Sequence, residues 1–126
     1  MNDSGPVKPN TFYIINLQDF DKGNGTHWCV FLTSKSNWIA YYDPFGLPAP
    51  TDVEEYVEPR YEKIYWSSVK HQMTQSILCG YYVICFIKYM NHAGNKLLRF
   101  QEFVTKVFGK EELKNNKKIR EIFHLL

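Results

Sequence analysis

The sequence predicts an α+β fold in which a small, mostly antiparallel central sheet packs on helices. Three β-rich runs separated by turn residues fill much of the first 43 residues, and helical periodicity takes over from residue 79. The least polar stretch of the chain, QSILCGYYVICFI (75–87), is typical of a buried helix with a cysteine near its start. The length of 126 residues suits a single compact domain over 1–126.

Each predicted strand is bounded by residues that interrupt a β-ladder. The run HWCVFL is largely apolar on both faces, which predicts a central strand. The segment PFGLPAPTD cannot continue a strand, because it contains three prolines and a glycine. The predicted strands are TFYIINL (11–17), HWCVFL (27–32), WIAYYD (38–43) and EKIYWSSV (62–69).

Three helices are predicted after the strands. From Cys79 to Met90 the apolar residues fill one face of a helix and extend beyond that face. Because a helix this apolar must be buried, we expect it to pack against the sheet. The segment LRFQEFVTKVFG (98–109) repeats its apolar residues at helical spacing, with Gly109 as the expected C-cap. The segment KEELKNNKKIREIFHLL (110–126) is a last amphipathic helix.

Composition excludes several classes of protein. Cys29, Cys79 and Cys85 are an odd number without the spacing of a disulfide framework, which indicates free thiols in a reducing compartment. The four histidines are scattered and no CxxC pair exists, so no metal site is expected. The longest apolar run, 77–87, is too short to cross a bilayer, and the N-terminus is polar, so we expect a soluble intracellular protein with no membrane contact.

Charge is distributed unevenly along the chain. Residues 1–87 hold six Lys or Arg against nine Asp or Glu, whereas residues 88–126 hold nine against four. This basic C-terminal third has two interpretations: a solvated helix face, which we favour, and a surface that binds a polyanion.

Cys79 has a structural and a reactive interpretation. Cysteine is among the most buried residue types, so core packing is its ordinary role in an apolar helix. A cysteine in the first turn of a helix, however, lies at the positive end of the macrodipole, which favours the thiolate. Ser76 is the expected N-cap, and Gly80 would let a substrate backbone approach closely. A nucleophilic Cys79 would still need a base and a group that orients it.

His27 and Asp43 are the candidates for these two roles. Each alone has an ordinary interpretation, as a structural histidine at a strand start and as a turn-forming aspartate. If strands 27–32 and 38–43 pair as a hairpin, residues 27 and 43 are expected to lie opposite each other at one rim of the sheet. A carboxylate on one ring nitrogen would fix the tautomer and leave the other nitrogen facing a thiol.

Three motifs in the order His, Asp, Cys carry a family resemblance. GTHW, YYDPFG and SILCGYYVICF resemble the adenovirus endopeptidase family of cysteine proteases, relatives of the SUMO-deconjugating proteases. The Pro-Phe-Gly after the acid and the Gly-Tyr-Tyr after the cysteine match its viral and virus-like-transposon branch. The resemblance implies that His27 is the general base, Asp43 the residue that orients it, and Cys79 the nucleophile.

The resemblance also implies an oxyanion hole and a substrate cleft. The family places a glutamine before the cysteine, and its side-chain amide helps the cysteine N–H to hold the oxyanion. Gln72, seven residues upstream of Cys79, aligns without gaps and is favoured over Gln75, four residues upstream. Trp28 matches the family's aromatic residue after the histidine and is expected either to wall the cleft, with Gly80, or to pack in the core.

By this resemblance the protein would mature viral structural or capsid precursor proteins in the virion or infected cell, at Gly-containing sites. No cofactor is expected to be required, although viral members can be activated by a peptide and by nucleic acid, with which the basic C-terminal third is compatible. The chain lacks much of the family's N-terminal segment, which helps to build the cleft. It is therefore either a minimal version or borrows that wall from a partner or from a second copy in a dimer.

Three other functions stay open at this point. A deconjugase of a ubiquitin-like modifier would need a broad modifier-binding surface, for which this chain is short. A triad acyltransferase would need a coenzyme A site, and no basic or Gly-rich phosphate cradle is visible. An inactive binding module is disfavoured, because all three triad residues and a glutamine are present.

Overall fold

The computed structural model describes residues 8–18, 26–57, 61–72, 78–92 and 94–124. Within these ranges the predicted α+β class is confirmed. The elements in chain order are β1 (Phe12–Gln18), β2 (Thr26–Thr33), β3 (Trp38–Tyr42), α1 (Thr51–Val57), β4 (Lys63–Trp66), α2 (Cys79–Met90), α3 (Lys96–Glu102), a π-helical turn (Phe103–Val107) and α4 (Glu112–Ile122).

The four strands form one mixed sheet in the order β1-β2-β3-β4. The first two ladders are antiparallel, and β4 pairs with β3 in parallel. A parallel pair needs a crossover connection, and α1 lies in this connection. The sequence did not lead us to predict α1, because the prolines just before it indicated an irregular connection. Its signals are Val53 and Val57, four residues apart and both buried, and acidic Asp52 and Glu54 in the first turn.

The central position predicted for β2 is confirmed. Its residues Cys29, Val30 and Phe31 are each 0% exposed, because both faces of the sheet are covered. Val30 faces the core formed with α2, while Cys29 and Phe31 face a second core that includes Val53 of α1. Because successive side chains of β2 point to opposite faces of the sheet, the strand contributes residues to both cores.

Helix α2 is the buried helix that the sequence predicts, and its first residue is Cys79. Its buried side chains include Tyr82, Val83 and Phe86. The Phe86 ring stacks on Tyr42 of β3, with 4.9 Å between ring centroids. This stacking holds the second half of α2 against the end of β3.

The C-terminal helices differ in detail from their predicted bounds. The segment predicted as one helix over 98–109 divides into α3 and the π-helical turn, where the Phe108 N–H bonds to the Phe103 carbonyl at 3.2 Å. Helix α4 is shorter than the predicted 110–126, and residues 125–126 lie outside the described residues. None of the helices in the described ranges is both long enough and apolar enough to cross a bilayer.

Candidate active site

Cys79 is held at the start of α2, next to β2. Cys79 is only 3% exposed, and the backbone N–H of Trp28 donates to its Sγ at 3.4 Å. A donor at this distance stabilises negative charge on sulfur, as does the N-terminal end of the helix. Leu78 occupies the N-cap position and makes no side-chain cap hydrogen bond, so the prediction of Ser76 as N-cap is wrong. Ser76 itself lies outside the described residues.

His27 and Asp43 form a direct hydrogen bond, with 2.8 Å between Nε2 and Oδ1. The expected ladder pairing of positions 27 and 43 does not occur, because the β2–β3 ladder ends at Val30 and Tyr42. The chain instead leaves the ladder after Tyr42 and turns, and the two side chains bridge the remaining gap. The predicted juxtaposition is therefore reached by side chains at the end of the sheet rather than by strand register.

The hydrogen bond defines the tautomer of His27. An ionised carboxylate only accepts, so Nε2 must carry the proton, and Nδ1 is left as the acceptor nitrogen. The His27 side chain is 21% exposed, and its ring meets the Phe45 ring edge-on at 4.9 Å. The imidazole is thus oriented by Asp43 on one side and by an aromatic ring on the other, in a position that solvent reaches.

The turn after β3 supplies a hydrogen bond to the Asp43 carboxylate. Oδ1 accepts a second hydrogen bond from the Phe45 N–H at 2.8 Å, and the Asp43 carbonyl accepts from Gly46 N–H at 2.8 Å. Gly46 has a φ of +72°, and a Cβ placed there would lie 2.7 Å from the Ser68 carbonyl oxygen. The glycine of the Pro-Phe-Gly sequence therefore has a steric reason in this structure.

The same turn holds the segment that carries Gln72. The backbone N–H groups of His71 and Gln72 both donate to the Pro44 carbonyl, at 2.9 and 3.0 Å. Gln72 is 0% exposed. The alternative, Gln75, lies outside the described residues. The choice between the two glutamines therefore stays a prediction.

Trp28 and Gly80 lie together beside Cys79. A Cβ added at Gly80 would lie 3.8 Å from Cδ1 of Trp28, an ordinary contact distance. The structure thus leaves space for a Cβ at position 80. Trp28 is partly buried and packs against the core that contains α2, so both predicted roles of this residue are compatible with its position.

His71 is a buried residue that the sequence reasoning did not single out. It is 0% exposed, its Nδ1 accepts from the Tyr42 hydroxyl at 2.9 Å, and its Nε2 donates to the Val104 carbonyl at 3.0 Å. Burial lowers the pKa of His71, which favours the neutral ring. Its place directly before Gln72 is the one sequence signal that could have pointed to it.

The other two thiols have environments that suppress the thiolate. Burial raises the pKa of Cys29 to about 12 and also raises the pKa of Cys85. Cys85 is nonetheless partly exposed, whereas the helical pattern predicted a buried position. Within the described part of the chain, no group of three or more His, Cys, Asp or Glu side chains could hold a metal ion.

Comparison with solved structures identifies a relative in fold. A crystal structure of the ASFV pS273R protease superposes with a TM-score of 0.55 at 20% sequence identity. The match covers 82% of this chain and 42% of the other, so the chain spans less than half of that protease. At this level of identity the likeness concerns the fold. No family model matches the sequence, and no curated protein matches it.

We expect Gly46→Ala to destabilise the protein. The new methyl group would collide with the Ser68 carbonyl in a left-handed backbone conformation, which should lower the free energy of unfolding by about 2 kcal/mol or more. Urea denaturation measures the change. Gly109→Ala is the control, because a Cβ there meets nothing within 4 Å, and it should change stability by less than about 0.5 kcal/mol. Equal stability of the two variants would contradict the steric role of Gly46.

We expect His71 to stay neutral at pH values where a solvated imidazole is half protonated, about 6.5. Burial lowers its pKa, so just below pH 6.5 the unfolded chain binds a proton at this residue that the native state does not bind. The free energy of unfolding should therefore fall as the pH drops below 6.5, by at most about 1.4 kcal/mol per pH unit from this group. NMR titration of the His71 imidazole signals measures its protonation. A midpoint for His71 at or above 6.5 would contradict this prediction.

Proposed function

We propose that this protein is a cysteine endopeptidase in which Cys79 is the nucleophile, His27 the general base and Asp43 the residue that orients the base. The observation that carries the proposal is the 2.8 Å hydrogen bond from His27 to Asp43, with Cys79 Sγ 3.4 Å from the N–H of the neighbouring Trp28. A nucleophile, a base and an orienting carboxylate in one site define the catalytic pattern of thiol proteases. The shared fold with a protease adds support.

The first step of the proposed reaction is proton transfer from Cys79 Sγ to His27 Nδ1. The thiolate then attacks the carbonyl carbon of the scissile peptide bond, and the carbonyl electron pair moves to its oxygen. Nε2–H stays bonded to the Asp43 carboxylate, which offsets the charge of the imidazolium. The Phe45 N–H on the same carboxylate oxygen keeps this acceptor in place.

The second step expels the amine. The tetrahedral oxyanion would accept hydrogen bonds from the Cys79 N–H and from the Gln72 side-chain amide. Collapse of the intermediate breaks the C–N bond, and His27 gives its Nδ1 proton to the leaving nitrogen. Water then gives a proton to His27 Nδ1 and attacks the thioester carbonyl carbon. The C–S bond breaks, the acid is released, and the Nδ1 proton passes to Cys79 Sγ, which restores the thiol.

We propose that the substrate is an extended segment of a viral structural or capsid precursor, cleaved next to small residues such as glycine. The positions of Trp28 and Gly80 beside Cys79 support this proposal, and a Cβ at position 80 would make only an ordinary contact with Cδ1 of Trp28, at 3.8 Å. A substrate backbone that passes close to Gly80 would explain the glycine. Maturation in a virion or infected cell would follow from this substrate.

We also propose weak contact with an activating peptide or nucleic acid through the basic C-terminal third. The lysines of α4 that support this include exposed Lys114, Lys117 and Lys118. Two of them have local partners, since Lys114 meets Glu111 at 3.0 Å and Lys118 donates to the Val107 carbonyl at 2.7 Å. The Glu111 carboxylate offsets the charge of Lys114, and the bond to Val107 restrains Lys118, which is why we propose a weak contact.

The test of the proposed function is hydrolysis of Gly-containing peptides with a fluorescent leaving group. Cys79→Ala should lose about 10³-fold or more in kcat, whereas Cys85→Ala, on the same helix, should keep wild-type turnover. Iodoacetamide at pH 7 should label Cys79 before Cys29 and Cys85, whose pKa values are raised. Asp43→Asn should fold and turn over slowly, because the amide favours the wrong tautomer.

Other outcomes would point elsewhere. Acetylation of a protein from acetyl-coenzyme A would favour acyl transfer, and cleavage limited to a ubiquitin-like probe would favour a deconjugase. Full peptidase activity of Cys79→Ala would exclude it as the nucleophile.

The oxyanion donor is tested by comparing the two glutamines. Gln72→Ala should lose about 10²–10³-fold in kcat at nearly constant KM, because such a donor acts on the transition state. Gln75→Ala should stay within about tenfold of wild type. The reverse pattern would assign the role to Gln75, and little effect of either change would leave backbone N–H groups alone in the hole.

A further inference from the structure

One peptide group, between His71 and Gln72, is hydrogen-bonded at both ends. Its N–H, on Gln72, donates to the Pro44 carbonyl at 3.0 Å. Its carbonyl, on His71, accepts from Nδ2 of Asn115 at 3.1 Å. A peptide group is planar, so two bonds to opposite edges fix the orientation of the plane. The Cα of Gln72 is the next atom along the chain, and its position follows from this plane.

Asn115 lies on α4, 44 residues from His71 in sequence, and only 5% of it is exposed. Besides the His71 carbonyl, its side chain bonds both polar groups of Gly109. Oδ1 accepts from the Gly109 N–H at 3.1 Å, and Nδ2 donates to the Gly109 carbonyl at 2.7 Å. Both N–H bonds of the amide are therefore used, which fixes its orientation.

The π-helical turn completes this arrangement. In a π-helix the Val104 carbonyl would accept from the N–H five residues on, which is Gly109. That N–H instead donates to Asn115, and the Val104 carbonyl accepts from His71 Nε2 at 3.0 Å. Asn115 thus bonds the 71–72 peptide at its carbonyl, while the His71 ring is anchored separately at the Val104 carbonyl.

We propose that Asn115 is a positioning residue for Gln72, acting through the His71 carbonyl, and that α4 is thereby part of the catalytic apparatus. This inference rests on the proposed function, in which Gln72 donates to the oxyanion. An oxyanion donor acts at full strength only when it is held at the right place before the reaction. Pro44, in the turn of Asp43, holds one edge of the peptide, and Asn115 holds the other.

A double-mutant cycle tests the proposal. Asn115→Ala should lower kcat by about ten- to a hundredfold at nearly constant KM, because a small displacement of a catalytic group is costly. In a Gln72→Ala background the same change should have little further effect, since the group it positions is gone. Hydrogen exchange at the Gln72 amide should become faster in Asn115→Ala.

Asn116 offers a matched control on the same helix. It is also buried, but its Oδ1 accepts from the Tyr82 hydroxyl at 2.5 Å and does not bond the 71–72 peptide. The Tyr82 hydroxyl also donates to the His71 carbonyl, at 3.4 Å, and this bond does not need Asn116, so in Asn116→Ala the peptide keeps its bonds. This variant should lose stability with kcat within about threefold of wild type and with unchanged exchange at Gln72. If Asn115→Ala does not fold, Asn115→Ser retains a polar group in the buried site and is measured instead.

The outcomes separate this inference from the proposed function. A wild-type enzyme that depends on Cys79, but in which the losses from Asn115→Ala and Gln72→Ala multiply, overturns the positioning role alone. So does an equal effect of the Asn115 and Asn116 variants on kcat. Wild-type turnover by Cys79→Ala, or no peptide hydrolysis by the wild type, overturns both.

Discussion

A buried carboxylate must be fully hydrogen-bonded, because moving an ion out of water costs several kcal/mol even after the protein relaxes. Asp43 is under this constraint, since its side chain is only 1% exposed. Its Oδ1 accepts from the His27 imidazole and from the Phe45 N–H, both at 2.8 Å. The turn that provides the Phe45 N–H contains Gly46, whose backbone is left-handed. The need to bond a buried carboxylate and the shape of this turn are therefore linked.

The same turn also positions the segment that carries Gln72. The Pro44 carbonyl follows Asp43 directly and accepts both the His71 and Gln72 N–H groups. On the opposite side, β2 carries His27 and Trp28, and the Trp28 N–H reaches Cys79. Because β2 and β3 are covered on both faces, neither strand can shift without disturbing a core. A rigid sheet end is a suitable support for groups that must keep fixed distances.

The sequence was a good guide to those features that depend on local pattern. Strand periodicity gave the four strands, and the unbroken apolarity of β2 indicated its central position. Helix α1 was missed because two buried valines in seven residues are a weaker signal than the prolines beside them. The juxtaposition of His27 and Asp43 was expected, but for an incorrect reason, since strand register does not provide it. Asn115 could not be found from the sequence, because its contact with His71 spans 44 residues.

The two histidines near the site show why residue type alone does not decide a role. His27 is partly exposed, and its Nε2 faces a carboxylate that can stabilise the charged ring. His71 is enclosed by aromatic rings, among them Tyr42, Phe103 and Phe108, and burial lowers its pKa. Its bond to the Val104 carbonyl requires a proton on Nε2, and its bond from Tyr42 requires none on Nδ1. Only the neutral ring can make both hydrogen bonds. A second proton, on Nδ1 of His71, would break the bond from Tyr42 inside the core. One histidine bonds a carboxylate at the end of the sheet, and the other holds its neighbours in place by staying neutral.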